Sequence, residues 1–537
     1  MNETFRKSMV WLHTWAGVVI GSVLFAIFWM GTLSVFDREI DRWMQPGTRL
    51  AAPSVPASLD KTVLPVAQTL AASASQWVVN LATERAPQLR FFYRDTRGEL
   101  ITRAINPNTG ALIADQGSHA GTGFIFPFHY SLHIEWKDLG DWLVGLSAMA
   151  MLVLLVSGVV IHKKIFIDFF LFRPRKQLQR ASLDLHNLTG VLALPFHFVM
   201  TLSGLIIFMG IYFPQAHVGA YGLGKEAKDQ YSLEAFGGYK RAKLNAPGTL
   251  ASLDAMVAEA ERQWPGGKAF FVRVWHPGDA NAYVEVRRSY AQDITMHLDR
   301  VTFDAQTGAV LHRFKAASVM TVQRFISGLH FIQFEHWTLR WLYFLAGLSG
   351  CVMIATGFLF WLEARRAQHA KQGLASVRVV EALTIGSVTG IVIATLAFFV
   401  ANRLLPLESS FAGEDRASLE MWAFYLVWLA TFGHAAWRRA DPATQPARRA
   451  WREQCAAIAV LAAAAVLLNG LTTGDHLFKT LSQAYWPVAG MDMLLLFGAG
   501  LALWSSRILG RAPATAKAAA GARQASGVTA KEGAPDA

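Results

Sequence analysis

The chain has 537 residues, 53% of them hydrophobic and only 16% charged, with 50 Lys and Arg against 38 Asp and Glu for a net charge of +12. A soluble protein of this size carries about 25% charged residues, and here the apolar excess falls in blocks. That excludes a purely soluble enzyme, a disordered chain and a secreted disulfide scaffold, and leaves a polytopic membrane protein.

The first block, 9–36, follows Arg6 and Lys7 and is too long for a signal-peptide core, so it reads as an uncleaved anchor. Further blocks of spanning length are 142–162, 185–213, 339–362, 379–401, 419–437, 455–471 and 486–506, giving an expectation of eight transmembrane helices. The segments 163–182, 363–378 and 438–453 are basic, whereas the alternate short segment 402–416 is not. Both termini are therefore expected on the cytoplasmic side of a bacterial-type inner membrane, with two large periplasmic loops. The segments assigned to the cytoplasm carry 22 basic and 7 acidic residues. The positive balance is thus a topological record, and no nucleic-acid partner is expected; contact is with membrane lipid.

In chain order the expected organisation is 1–36 span 1; 37–128 a first outer domain; 129–213 spans 2 and 3 with a basic loop; 214–336 a second outer domain; 337–365 span 4; 366–511 four added spans; and 512–537 a disordered tail. The outer domains share a pattern. The first reads as a helix over 64–73, strands near 76–81, 89–93 and 100–105, and a closing turn Asn106-Pro107-Asn108-Thr109-Gly110. The second reads as a helix over 252–264, strands near 269–275, 282–287 and 295–303, and a turn Asp304-Ala305-Gln306-Thr307-Gly308. Each is expected to be a small α+β domain, its turn glycine supplying a positive φ.

The spans repeat as well. His13-Thr14-Trp15-Ala16-Gly17 in span 1 matches His186-Asn187-Leu188-Thr189-Gly190 in span 3, and Gly31 and Gly204 each lie eighteen residues after the histidine. Leu132-His133 precedes span 2 and Leu329-His330 precedes span 4, and Ser157-Gly158 answers Thr356-Gly357. The first 360 or so residues are two copies of span, outer domain, span.

This doubled arrangement, with its turn motif and histidine-led spans, resembles the PepSY-associated transmembrane family, which includes iron-regulated membrane proteins and ferric-siderophore reductases of the inner membrane. The stretches His162-Lys163-Lys164-Ile165-Phe166, Leu183-Asp184-Leu185-His186-Asn187 and Leu194-Pro195-Phe196-His197 resemble one branch of it. The resemblance covers roughly residues 5–365. It implies two PepSY-like periplasmic domains, haem b (two groups) and electron transfer across the membrane. The implied donor is a cytoplasmic reductase or quinol, and the implied acceptor a ferric siderophore or other iron chelate.

Two-ligand haem needs imidazoles from facing helices at one depth. His13, His162 and His186 fall near the cytoplasmic ends of their spans, and His129, His133, His330 and His336 near the outer ends. Pairing repeat equivalents gives His13 with His186 at an inner site and His133 with His330 at an outer one. His162 is at the right depth to replace an inner ligand. His197, eleven residues after His186, falls on nearly the same helix face about 16 Å deeper, which suits two stacked groups. The i, i+4 pair His129 and His133 is an alternative site for Zn²⁺ or Cu²⁺, and His336 is a further candidate. His217, His276, His297, His312 and His369 read as surface residues.

The two cysteines, Cys351 and Cys455, exclude iron–sulfur and c-type haem attachment motifs. There is no P-loop and no dinucleotide fingerprint in its proper context. The alternative classes are an iron- or siderophore-related permease, and a haem-free periplasmic binding or sensory protein. Spans 5–8 show no paired intramembrane carboxylates to favour a transporter.

Overall fold

The computed structural model describes residues 3–53, 55–162, 173, 178–213, 215–372, 375–440 and 446–511. Most of the basic loop 163–182, the tail 512–537 and the side chains of His217 and His369 lie outside the described residues. Two compact units are present: Met1–Gln372 with Leu405–Leu419, and Gly373–Leu404 with Glu420–Ala537.

Six of the described helices are long and apolar enough to cross a membrane: Thr4–Ser34, Trp136–Ile161, Trp337–Arg365, Val379–Leu404, Arg448–Thr473 and Trp486–Gly510. A seventh candidate, span 3, is a bent pair, Leu178–Leu192 and Leu194–Ile207, at 64°. Pro195 opens the second half; without an N–H it cannot continue the preceding ladder, and the helix breaks there. The remaining expected span lies in the helix Arg416–Ala440. Its Trp422, Tyr425, Trp428 and Trp437, together with Glu420, dilute its apolar character.

The two outer segments join into one sheet rather than forming two separate domains. Strands β1 (Gln76–Asn80), β2 (Leu89–Arg94), β3 (Leu100–Ile105) and β4 (Leu112–Ile113) come from the first. Strands β5 (Ala269–Trp275), β6 (Tyr283–Arg288), β7 (Arg300–Asp304) and β8 (Val310–Phe314) come from the second. The order is β4-β3-β2-β1-β5-β6-β7-β8, antiparallel throughout. At the seam Trp77 faces Val274 and Val79 faces Val272, an approximate two-fold relation between the repeats. Pairing β1 with β5 removes the two strand edges that separate domains would leave open.

One apolar core runs beneath both halves. Trp77, Val79, Phe91, Val272, Val284 and Phe303 of the sheet pack on Leu59 and Val63 of one repeat and Leu253 and Met256 of the other. The helix starts are exchanged. Ser58 Oγ and Leu59 N donate to Asp254, while Ser252 Oγ and Leu253 N donate to Asp60 at 2.6 and 2.8 Å. The tetrapeptide Ala-Ser-Leu-Asp occurs at 57–60 and again at 251–254, and each copy caps the other. The closing-turn glycines, Gly110 and Gly308, have φ of +72° and +71° as expected.

A buried ion triad fixes the sheet to the end of span 1. Arg85 donates to both oxygens of Glu39, at 2.9 and 2.7 Å, and to Asp37 at 3.1 Å. Burial opposes the charge on Asp37, but Arg85 and Arg38 outweigh it and hold its pKa below the usual carboxylate value. Arg416, in the segment 402–416, donates to the Gln116 carbonyl at 2.6 Å, which sets that segment on the sheet side of the first unit.

In the second unit, Glu420 accepts from Asn402 at 2.8 Å, and Asp492 accepts from Asn469 at 3.3 Å. Both carboxylates are fully buried.

Candidate functional site

Four histidines of the first unit are held in the same way. His186 Nδ1 donates to the Met353 carbonyl at 2.8 Å, His129 Nδ1 to that of Ile27 at 2.9 Å, and His330 Nδ1 to that of Met200 at 2.9 Å. A carbonyl can only accept, so the proton is on Nδ1 in each case. His13 Nδ1 lies 3.0 Å from Ser157 Oγ, which itself donates to the Leu154 carbonyl. The same tautomer follows. Among the described residues no hydrogen bond reaches Nε2 of any of the four.

Each ring also packs on a glycine. A Cβ on Gly31 would lie 2.6 Å from the His129 ring, on Gly204 3.0 Å from His330, and on Gly158 and Gly357 3.2 Å from His13 and His186. The four repeat-equivalent glycines are thus the seats of the four imidazoles. Each repeat supplies its own seats: span 2 for His13, span 1 for His129, span 4 for His186 and span 3 for His330.

The histidines then meet across the repeats. Ring centroids of His13 and His186 are 6.3 Å apart at 84°, and those of His129 and His330 are 5.9 Å apart at 24°. The first pair lies away from the sheet and lines a cavity of about 290 Å³; the second lies near the sheet and lines one of about 140 Å³. Leu24 and Met151 line both cavities, so the two are separated by a thin apolar layer. Both are mostly apolar, with a few fixed polar atoms.

A sequence profile of the PepSY-associated TM region matches residues 10–364. The chain belongs to that family. This PepSY-associated protein is also 29% identical over 321 residues to a Pseudomonas aeruginosa protein described as uncharacterised, covering 55% of this chain and 76% of the relative.

The other candidates of this PepSY-associated chain fall elsewhere. His133 does not face His330. Its ring stacks on Phe124 at 4.9 Å and its Nε2 donates to the Phe124 carbonyl at 2.8 Å. His129 occupies the place equivalent to His330, because both lean on a carbonyl four residues before a repeat-equivalent glycine. The Leu-His dipeptides align the two repeats in the wrong register. The first copy differs in its π-helical turn, Ala120–Ile125, and in a left-handed His133; a left-handed residue ends the helix in both copies, at Leu132 and at Ile332. With the helix ended at Leu132, His129 and His133 do not share a face for Zn²⁺ or Cu²⁺. No group of three or more metal-ligating residues occurs among the described residues.

His162 lines the cavity away from the sheet, with Nε2 3.0 Å from the Asn187 amide. His197 lies beyond the 64° bend, so it does not share a face with His186. It is fully buried between Phe28 and Phe196, lines neither cavity, and has no hydrogen-bond partner among the described residues. His336 is exposed, and its Nδ1 accepts from Leu339 N at the start of span 4. The three carbonyl acceptors carry no mark in the sequence; Ser157 and the repeated glycines at 31, 158, 204 and 357 are the trace it holds.

Proposed function

We propose that the chain is a b-type haem transmembrane electron-transfer protein of the inner membrane. It reduces ferric iron or ferric siderophores on the periplasmic side with electrons from a cytoplasmic reductase or the quinol pool. The observation that carries this reading is the pair of matched imidazole couples, each ring fixed through Nδ1 with Nε2 left over. A histidine that ligates a metal characteristically has its other nitrogen tied in this way, which sets the tautomer and the ring orientation.

The residues fit the group. The 6.3 and 5.9 Å between ring centroids put the two imidazoles of each pair within reach of one shared metal ion. His13 with His186, and His129 with His330, would hold the two groups, each imidazole backed by its seat glycine. Bis-imidazole haem supplies one-electron exchange without bond making at the metal.

The protein's own part is positional. Ser157 and the carbonyls of Met353, Ile27 and Met200 orient the rings. The apolar layer at Leu24 and Met151 keeps water from the space between the two sites. Ferric chelates hold iron far more tightly than ferrous ones, so delivery of one electron to Fe³⁺ releases the metal. In this reading all eight long helices span, both termini are cytoplasmic, and the sheet halves are PepSY-like domains facing the periplasm.

The test is an absorbance spectrum of the purified protein, oxidised and dithionite-reduced. A reduced α-band of low-spin b haem is expected; its absence sinks the reading. Formation of ferrous iron from a ferric chelate, followed with a ferrous-specific dye, then tests the reaction. A permease reading draws on the buried Glu420 and Asp492 of the second unit. It predicts substrate accumulation that survives loss of all four seated histidines.

A further inference from the structure

The two repeats differ where they lead into the histidines near the sheet. Counting back from His129 and from His330, Gly121 answers Val322 and Phe124 answers Phe325. In the first repeat both positions are buried under the helix Asp37–Met44; a Cβ on Gly121 would lie 3.0 Å from Ile40. In the second they are open. Val319, Val322 and Phe325 are 73%, 60% and 44% exposed, an apolar stripe at three-residue spacing along the helix Ser318–Phe331. Arg340 of span 4 donates to the Ile332 carbonyl at 2.6 Å, so this helix ends at the sheet-side mouth of a membrane span.

The other face of the same helix carries Arg324, where the first repeat has Gly123. Arg324 Nε donates to the Met296 carbonyl at 3.0 Å, and Met296 N donates to the Arg324 carbonyl at 3.2 Å. Arg287, on β6, donates to the next carbonyl, that of His297, at 3.3 Å. Two guanidinium groups are thus drawn to successive carbonyls of one loop. Neither forms an ion pair among the described residues. The carboxylates of the same strands and loop are engaged elsewhere: Glu285 with Arg273 and Arg300, and Asp293 and Asp299 with Arg288. Burial pushes Arg287 down to about 10, with Tyr290 opposing and Arg300, Arg324 and Arg273 adding to the fall. Burial also lowers Arg324, again with Tyr290 opposing. Burial raises the Tyr290 phenol, so it is neutral at physiological pH and is no counter-charge. Guanidinium donors not used on carbonyls suit the paired oxygens of a phosphate. A helix with a cationic face and an uncovered apolar one lies in the plane of a lipid–water boundary.

We propose that Arg287 and Arg324 hold the phosphodiester of an anionic phospholipid in the sheet-side leaflet, with its acyl chains along Val319, Val322 and Phe325. The lipid covers on the second repeat what the helix Asp37–Met44 covers on the first. This seat stands whether or not the histidine pairs carry haem.

The test is native mass spectrometry of the full-length protein in detergent, titrated with dioleoyl phosphatidylglycerol or dioleoyl phosphatidylcholine. Phosphatidylglycerol is expected to bind at least about tenfold more tightly than phosphatidylcholine. Arg287→Gln and Arg324→Gln should each weaken it by about fivefold or more, and Arg324→Lys by less. Val322→Ser should weaken both lipids, because it removes chain contact and leaves the charges. Arg313→Gln, on β8 but exposed and bonded to Gln263, should change nothing. Equal affinity for the two lipids overturns the proposal, as does unaltered phosphatidylglycerol binding in both Arg287→Gln and Arg324→Gln. Displacement of the lipid by an equal concentration of inorganic phosphate also overturns it, since the arginines would then be a plain anion site. Melting temperatures without added lipid separate lost binding from lost folding, with Arg324→Lys as the folded reference.

Discussion

The two histidine pairs are built from the same parts in opposite arrangement. Away from the sheet, His13 and His186 sit on spans 1 and 3 and lean on spans 2 and 4. Near the sheet, His129 and His330 precede spans 2 and 4 and lean on spans 1 and 3. Each repeat therefore fixes both of its imidazoles internally, and the sites form only where the repeats meet. The surroundings differ. The pair away from the sheet has His162 and Asn187 in its cavity wall, whereas the pair near the sheet borders an arginine-lined pocket. The same arrangement of seated imidazoles thus meets two chemically different surroundings.

The largest expected effect breaks one pair and spares the other. His129→Ala or His330→Ala should remove about half of the bound haem, measured per protein by pyridine haemochrome, and His13→Ala or His186→Ala the other half. His133→Ala should retain both groups. If His133→Ala loses a group and His129→Ala does not, the pairing described here is wrong.

The seats should rank by their clearance. Gly31→Ala forces a methyl to 2.6 Å from the His129 ring, a ring held by burial and by its bond to Ile27. Overpacking of this kind costs about 1–3 kcal/mol, and partial loss of the sheet-side group is expected. Gly357→Ala, at 3.2 Å from His186, should be milder. Equal loss in the two variants would mean that the glycines do not act through the rings.

Much of this was legible in the sequence, and the failures have physical causes. The doubled span, the strands and the seat glycines follow from periodicity and local chemistry. The joining of β1 to β5 does not, because strand edges almost 200 residues apart carry no local signal for their partner. The Ala-Ser-Leu-Asp tetrapeptide was present twice, but a cap is ordinarily a local device, and here each Asp serves the other copy. His129 was masked by a π-turn that shifts the first repeat, and His197 was misplaced because Pro195 breaks the helix face between it and His186.

A pH test separates the two levels. Asp41 accepts from Thr122 N and Oγ1 at 2.9 and 2.7 Å, tethering the segment that leads to His129. Burial raises its pKa to about 6 from 3.8, against the opposing pull of Arg38 and Thr122. A carboxyl raised on folding favours the fold below its unfolded pKa, and that contribution is lost as pH rises toward 6 and beyond. The upper limit is about 3 kcal/mol for a shift of about 2 units. The melting temperature relative to Asp41→Asn should therefore fall between pH 4 and pH 7, with the sheet-side group released first. A constant difference across that range would show that Asp41 does not titrate there.

The smallest expected effect lies in the exchanged caps. Asp60→Ala leaves Ser252 Oγ and Leu253 N without their acceptor, and Asp254→Ala does the same to Ser58 and Leu59. Each should cost about 1–2 kcal/mol, read as a drop in melting temperature. The two losses sit on the seam between repeats, so both variants should loosen the sheet and reach the His129–His330 pair before the His13–His186 pair. The discriminating measurement is haem release on mild heating, resolved by the two groups' reduction potentials. Loss of the group away from the sheet first, or at the same temperature, would mean that the sheet does not help to hold the nearer pair, and that the membrane helices alone bring the repeats together.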